Sequence, residues 1–314
     1  MTEGLETERA GDRGFTRRRV LTVGLAGAGT LIAAAAGLDE LVKHGVLPGK
    51  QLLNELDGAC SVAHPPLRFS PLGASVSSRF YSRARRQSVG YTIAYPPGHR
   101  QGDRLPLVVM LHGFGGNHSN AVSGMSPAQA VALDVDDTPL TPMAMVTMDG
   151  GGGYWNPHPG DDPLAMVIDE LIPLCRQLGL GRPPHRIGTM GISMGGYGAL
   201  LLAEKYPHLV AAVAAISPAI WTSYPEARSA NPGAYASAEA FAANDAVTHA
   251  HALAGIPVRV ASGNADPFHS GVEALANVLP PGAIIEFSNG CYTGPFFLAQ
   301  EPPSLAFLAR HLAE

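Results

Sequence analysis

The sequence predicts an α/β fold: a mostly parallel, doubly wound sheet with helices on both faces and a small cap excursion. Three observations carry this. From Pro106 onward, short apolar runs alternate with helical patterns. The runs are continuously apolar, as strands buried on both faces are. Two glycine-rich turns follow such runs directly, at the carboxyl ends of strands where open α/β sheets hold their ligands.

The chain has 314 residues, 46% hydrophobic and 15% charged, which suits one large globular domain with an extension. A net charge of −5 argues against a nucleic-acid partner. The extension comes first. Arg13, Arg17, Arg18 and Arg19 precede an uncharged stretch from Val20 to Leu38. Thr16-Arg17-Arg18-Arg19-Val20-Leu21-Thr22 resembles a twin-arginine export signal, with a Gly- and Ala-rich apolar region behind it. An N-terminal membrane anchor is the other reading, since a span takes about 20 residues. Residues 1–38 are therefore assigned to signal or anchor, and membrane association is confined to residues 20–38. The expected location is exported, at the cell envelope or outside it. Residues 39–66, with a short helical pattern and then Pro48, Gly49, Pro65 and Pro66, form a tether; residues 67–314 form the folded domain.

Within that domain, apolar alternation at Val89, Tyr91, Ile93 and Tyr95 predicts antiparallel strands opening the sheet. Buried strands follow at Leu107–Leu111, Ala144–Met148, Arg186–Met190, Val210–Ile216, Val258–Ala261 and Ile284–Phe287. Helical patterns lie between or after them at Pro163–Leu178, Gly195–Tyr206, Ser270–Val278 and Pro303–Ala313. Residues 220–252, rich in Ala, Ser and Asn with weak periodicity, form the cap excursion. Asp161 and Asp162 either cap the helix at Pro163 or pair as metal ligands. Cys175 falls on an apolar helix face with Val167, Leu171, Leu174 and Leu178, which makes it a core residue. Cys60 and Cys291 then either bridge, pinning the N-terminal tail beside the loop that follows the last strand, or all three cysteines are free thiols.

Gly191-Ile192-Ser193-Met194-Gly195-Gly196 is a G-x-S-x-G elbow between a strand and a helix, which makes Ser193 the candidate nucleophile. His112-Gly113-Phe114-Gly115-Gly116 follows the strand at Leu107–Leu111. Its glycines let backbone approach a carbonyl, so the N–H of Phe114 or Gly115, with that of Met194, is expected to form an oxyanion hole. His112 is expected to be structural rather than a base. Asp266, after the strand ending at Ala261, is the candidate acid of a triad in the chain order nucleophile, acid, base. His112, Asp149, Tyr154, Trp155 and Trp221 are candidate substrate contacts. Tyr197, Phe296 and Phe297 share segments expected to face the top of the sheet, with half or more of these aromatics expected to pack in core or cap.

On these motifs, together with Asp149-Gly150-Gly151, the run Gly191 to Leu200, Ser217-Pro218-Ala219 and Gly263, residues 85–314 resemble α/β-hydrolase esterases of the antigen 85 and esterase D group, particularly exported actinobacterial members. The resemblance implies an α/β-hydrolase fold. It implies acyl transfer from a small-molecule ester or acylated glycan, to water or to a sugar hydroxyl, through an acyl-serine. No metal or organic cofactor is implied. The resemblance also places a histidine shortly after the glycine ending the last strand, where this chain reads Gly290-Cys291-Tyr292. A phenol with a pKa near 10 is a poor base for a serine. His269, three residues past Asp266, is the first substitute-base candidate; His158 is another, and His311 is expected at the surface.

Overall fold

A computed structural model describes residues 57–63 and 66–313. The expected signal or anchor and most of the tether lie outside the described residues. Among the described residues, no helix is long and apolar enough to cross a membrane.

The strands are β1 (Arg68–Phe69), β2 (Ser75–Ser82), β3 (Gln87–Ala94), β4 (Leu107–Leu111), β5 (Leu133–Val135), β6 (Thr138–Pro139), β7 (Ala144–Met148), β8 (Ile187–Ile192), β9 (Val210–Ile216), β10 (Val258–Ala265) and β11 (Ile284–Cys291). The helices are α1 (Pro127–Ala130), α2 (Pro163–Ala165), α3 (Ile172–Gln177), α4 (Met194–Lys205), α5 (Tyr224–Ala230), α6 (Ala238–Ala242), α7 (Ala246–His249), α8 (His269–Ala276) and α9 (Gly294–Leu312). The main sheet has eight strands in the order β11-β10-β9-β8-β4-β7-β3-β2. Strands β2 and β3 are antiparallel, as their alternation predicts, and the strands from β7 to β11 across the sheet are parallel. This is the α/β-hydrolase fold that the sequence leads one to expect.

Strand β4 shows how the sequence sets the layers. Leu107, Val109 and Leu111 enter one core with α4 and the cap, while Val108 and Met110 enter the other with α9. A period of two on a fully apolar strand fills both faces of the sheet. Helix α4 is buried along its length except at Lys205, so its apolar residues need not form a single stripe. Burial there pushes the Glu204 carboxyl up to about 9, so it is neutral at pH 7.

Two elements differ from expectation. Strands β10 and β11 run four residues further than the apolar runs, because their ends are Ser, Gly and Asn residues that pair across a register shift between Gly263 and Ala265. Helix α9 starts at Gly294 and carries Pro302 and Pro303 inside it, where the sequence suggests a start at Pro303. Its first half is anchored instead by buried Phe296, Gln300 and Glu301. Asp162 is the N-cap of α2, accepting from the Ala165 N–H at 2.9 Å, and Asp161 pairs with Arg85. Among the described residues no acidic, His or Cys cluster suits a metal. Cys60 and Cys291 form a disulfide, and Cys175 is buried and free.

Candidate active site

Strands β8 and β4 are parallel neighbours, with Leu111 opposite Gly191. Their carboxyl ends therefore deliver the elbow and the glycine loop to the same place. The elbow is tight. A Cβ on Gly191 would overlap the backbone of Gly195, and one on Gly195 would overlap the Leu111 carbonyl. Only glycine fits at either position. Ser193 sits at φ 60°, ψ −124°, outside the regions open to most side chains. That backbone is held by its N–H to the Ile216 carbonyl at 2.9 Å, and by its carbonyl accepting from Ala219 and Tyr197, each at 3.0 Å. Ser126, Ser223 and Ser237 spend their hydroxyls capping helices, but Ser193 does not cap α4. Its Oγ is left to the cleft.

That cleft has a volume of about 360 Å³ and is lined by Gly113 to Gly116, Asn120, Ala121, Ser123, Ile192, Ser193, Tyr292 and Phe297. Among the described residues no charged or histidine side chain lines it. Phe114 is 65% exposed at its mouth. The N–H groups of Phe114 and Gly115 make no hydrogen bond among the described residues. The N–H of Met194, first in α4, has no acceptor inside its helix. Three backbone donors thus stand free beside Ser193, as an oxyanion hole requires.

Tyr292 donates its hydroxyl to Ser193 Oγ. Its ring packs edge-on against Phe297, with centroids 5.0 Å apart, and against Phe268 at 5.6 Å. Burial raises its pKa above the ordinary phenol value, opposed by the bond to Ser193 and reinforced by the charge of Asp266. The phenol is a donor at neutral pH and accepts no proton from serine. Asp266 is buried; one oxygen accepts from the Phe268 N–H at 2.8 Å, and the other has no partner. Burial raises its pKa.

His269 does not stand at the serine. Its Nδ1 lies 3.2 Å from the Gly263 carbonyl, its Nε2 lies 3.5 Å from Glu273, and its ring packs on Phe287. His158 is bonded to the Gly153 carbonyl at 2.8 Å, and His311 packs on Phe307.

None of the five candidate substrate contacts lines the cleft, which corrects that expectation: His112, Tyr154, Trp155 and Trp221 are buried, and Asp149 is half-buried and bonded to backbone. His112 is fully buried: its Nε2 accepts from the Gly150 N–H at 2.8 Å, so its Nδ1 carries the proton and donates to the Gly113 carbonyl at 2.7 Å. Burial lowers its pKa and keeps it neutral. It braces the glycine loop. Asp149 accepts from the Gly90 and His118 N–H groups at 2.9 and 3.0 Å. Trp155 is fully buried and donates to the His112 carbonyl at 3.2 Å. Tyr154 and Trp221 stack on each other at 4.6 Å inside a cluster with Tyr197 and Tyr235 beneath the cap. Of the aromatic residues singled out from the sequence, Phe114, Tyr292 and Phe297 reach the cleft. Asn120, Ala121 and Ser123, which also line it, carry no sequence signal, because nothing local marks that stretch as facing the elbow.

A model of the protein family described as "Putative esterase" matches residues 82–279, more than half of the chain; the match includes Ser193 and Asp266 and ends before Tyr292. No sequence among the curated proteins matches. Among solved structures, a ferulic acid esterase aligns at TM-score 0.62 and 19% identity over 78% of this chain and 100% of its own. An S-formylglutathione hydrolase from Agrobacterium tumefaciens aligns at 0.61 and 17% over 79% and 98%. A feruloyl esterase module from Clostridium thermocellum, complexed with sinapinate, aligns at 0.58 and 14% over 80% and 96%. With an elbow serine and free backbone donors beside an open cleft on this fold, the chain belongs to that esterase family and is a serine hydrolase acting on carboxylic esters.

Proposed function

We propose that the protein is an exported esterase for small, uncharged carboxylic esters, with Ser193 as nucleophile and Phe114, Gly115 and Met194 N–H groups as the oxyanion hole. The observation that carries this is Ser193 on its constrained elbow, its hydroxyl uncommitted to the helix and facing free backbone donors. The uncharged lining, with Phe114 and Phe297, favours an apolar or aromatic acyl group; two of the structural neighbours are feruloyl esterases, and one holds sinapinate. Export is supported by the arginine-led N-terminal run and by a disulfide, a bond typical of oxidising compartments. Acyl transfer to a sugar hydroxyl would use the same acyl-serine.

Deprotonation of Ser193 lacks an imidazole, so turnover is slow. Hydrolysis of a short aryl ester tests this in the wild type, Tyr292→His and Ser193→Ala. The histidine variant should gain about 10²-fold or more in kcat/KM, the scale of general-base catalysis, and Ser193→Ala should be blank. Equal rates in all three proteins would end the proposal. A second reading, a catalytically silent binder, is favoured by one observation: Tyr292 gives a proton to Ser193 where a base would take one.

A further inference from the structure

We infer that the Ser193–Tyr292 cleft binds carboxylate anions with apolar or aromatic tails, in preference to the corresponding neutral molecules; this rests on the esterase reading of the same cleft. The argument turns on where the serine proton goes. With a histidine at position 292, Ser193 would donate to an imidazole lone pair, and that lone pair would face any anion in the oxyanion hole. With tyrosine the bond runs the other way, from the phenol to Ser193 Oγ. A hydroxyl has one proton, and that of Ser193 has no acceptor among the described residues. Ser193 is only 6% exposed. Ser193 lines the cleft, so that proton is open to a ligand oxygen there.

The rest of the cleft agrees. Phe114 and Gly115, whose N–H groups are free, line the same cleft as Ser193, which directly precedes the twelve-residue helix α4. No carboxylate among the described residues lines the cleft. Glu301 accepts from the N–H of the lining residue Ser123 at 2.6 Å, and Asp266 acts on Tyr292 as a charge. Its effect opposes an anion, so its removal should strengthen binding. The apolar walls supplied by Phe114, Ile192 and Phe297 suit the tail of an acid such as an arylacrylate.

The test is calorimetric titration of the folded domain with trans-cinnamate and with its neutral isostere cinnamamide, alongside the ester assay above. Cinnamate should bind at least about tenfold more tightly than the amide, the scale of a hydrogen bond to a charged acceptor. Ser193→Ala should remove that preference, and Asp266→Asn should tighten cinnamate binding. Equal affinity for acid and amide would overturn the inference. So would cinnamate binding that survives Ser193→Ala unchanged, since it would place the anion elsewhere, as in the basic cleft of His185, Arg186 and His311. If Tyr292→His gains esterase activity while the wild type ignores cinnamate, the esterase reading stands and this inference falls. If neither occurs, both fall.

Discussion

Tyr292 stands against Ser193 where the family resemblance places a histidine. Tyr292 occupies the place of a base but carries its proton at every pH below that of phenol ionisation, and burial moves that ionisation higher still. The pH profile of ester hydrolysis should therefore show no plateau near neutrality: the wild-type rate should keep climbing to pH 10. Tyr292→His should instead level off above about pH 7, once an imidazole with an ordinary pKa near 6.5 has lost its proton. A wild-type plateau at pH 7 would mean that another group takes the serine proton. Ser193, Asp266 and the odd residue at 292 were all legible in the sequence, because each sits at a fixed place relative to a strand end. A structural His112 was legible too, as was the packing of half or more of the aromatics; which of them are buried, Trp155 and Trp221 included, was not. Whether an aromatic ring near a site faces the ligand or supports the wall behind it depends on packing from other elements, such as Gly150 and the cap, which local spacing does not encode.

At the scale of elements, the site depends on two contacts between backbones. Helix α4 can approach β4 because residue 195 has no Cβ; Gly195→Ala would drive a methyl into the Leu111 carbonyl. That should cost on the order of 2 kcal/mol or more, as overpacking does, read as a lower urea midpoint or loss of soluble protein. Helix α9 reaches the cleft wall differently. Glu301 is fully buried, one oxygen accepts from the Ser123 N–H at 2.6 Å, and the other has no partner. Burial pushes its pKa up to about 8 from an ordinary 4.5. The folded state thus holds a proton that the unfolded chain releases. This carboxyl's contribution is fully favourable below pH 4.5 and is lost as pH rises towards 8, by an amount on the order of a few kcal/mol. Glu204 acts in the same direction. Glu301→Gln, which keeps the acceptor for Ser123, should flatten the fall in stability between pH 5 and 8, measured as urea midpoints across that range. The strand positions were legible from apolar runs. The start of α9 and the carboxyl ends of β10 and β11 were not, since prolines and polar residues there are tolerated only by tertiary packing.

At the scale of the whole domain, the first described segment is tied to the last strand. Residues 58–61 form a turn, the Ser61 N–H bonding to the Gly58 carbonyl, and the Asn289 amide donates to the carbonyls of Gly58 and Ser61 at 3.3 and 3.0 Å. The Cys60–Cys291 disulfide makes that contact covalent, joining residues 231 apart in sequence, one position before Tyr292. A loop this long leaves the unfolded chain much restricted, and such bridges contribute roughly 2–4 kcal/mol. Thiol counting checks the pairing: the non-reduced protein, unfolded in urea, should react with one equivalent of alkylating agent, at Cys175, and the reduced protein with three. Reduction should then lower the urea midpoint, and Cys60→Ala should reproduce the shift without reductant. The same bridge also holds Cys291 opposite Ala265, so the strand end bearing Tyr292 is registered against the strand that leads to Asp266. Loosening it should therefore affect the cleft before the fold. In the Tyr292→His background, reduction under conditions where the domain stays folded should lower kcat for the aryl ester more than it raises KM, because the loss is in aligning residue 292 with Ser193. If reduction shifts the midpoint and leaves kcat unchanged, the bridge stabilises the chain without positioning residue 292.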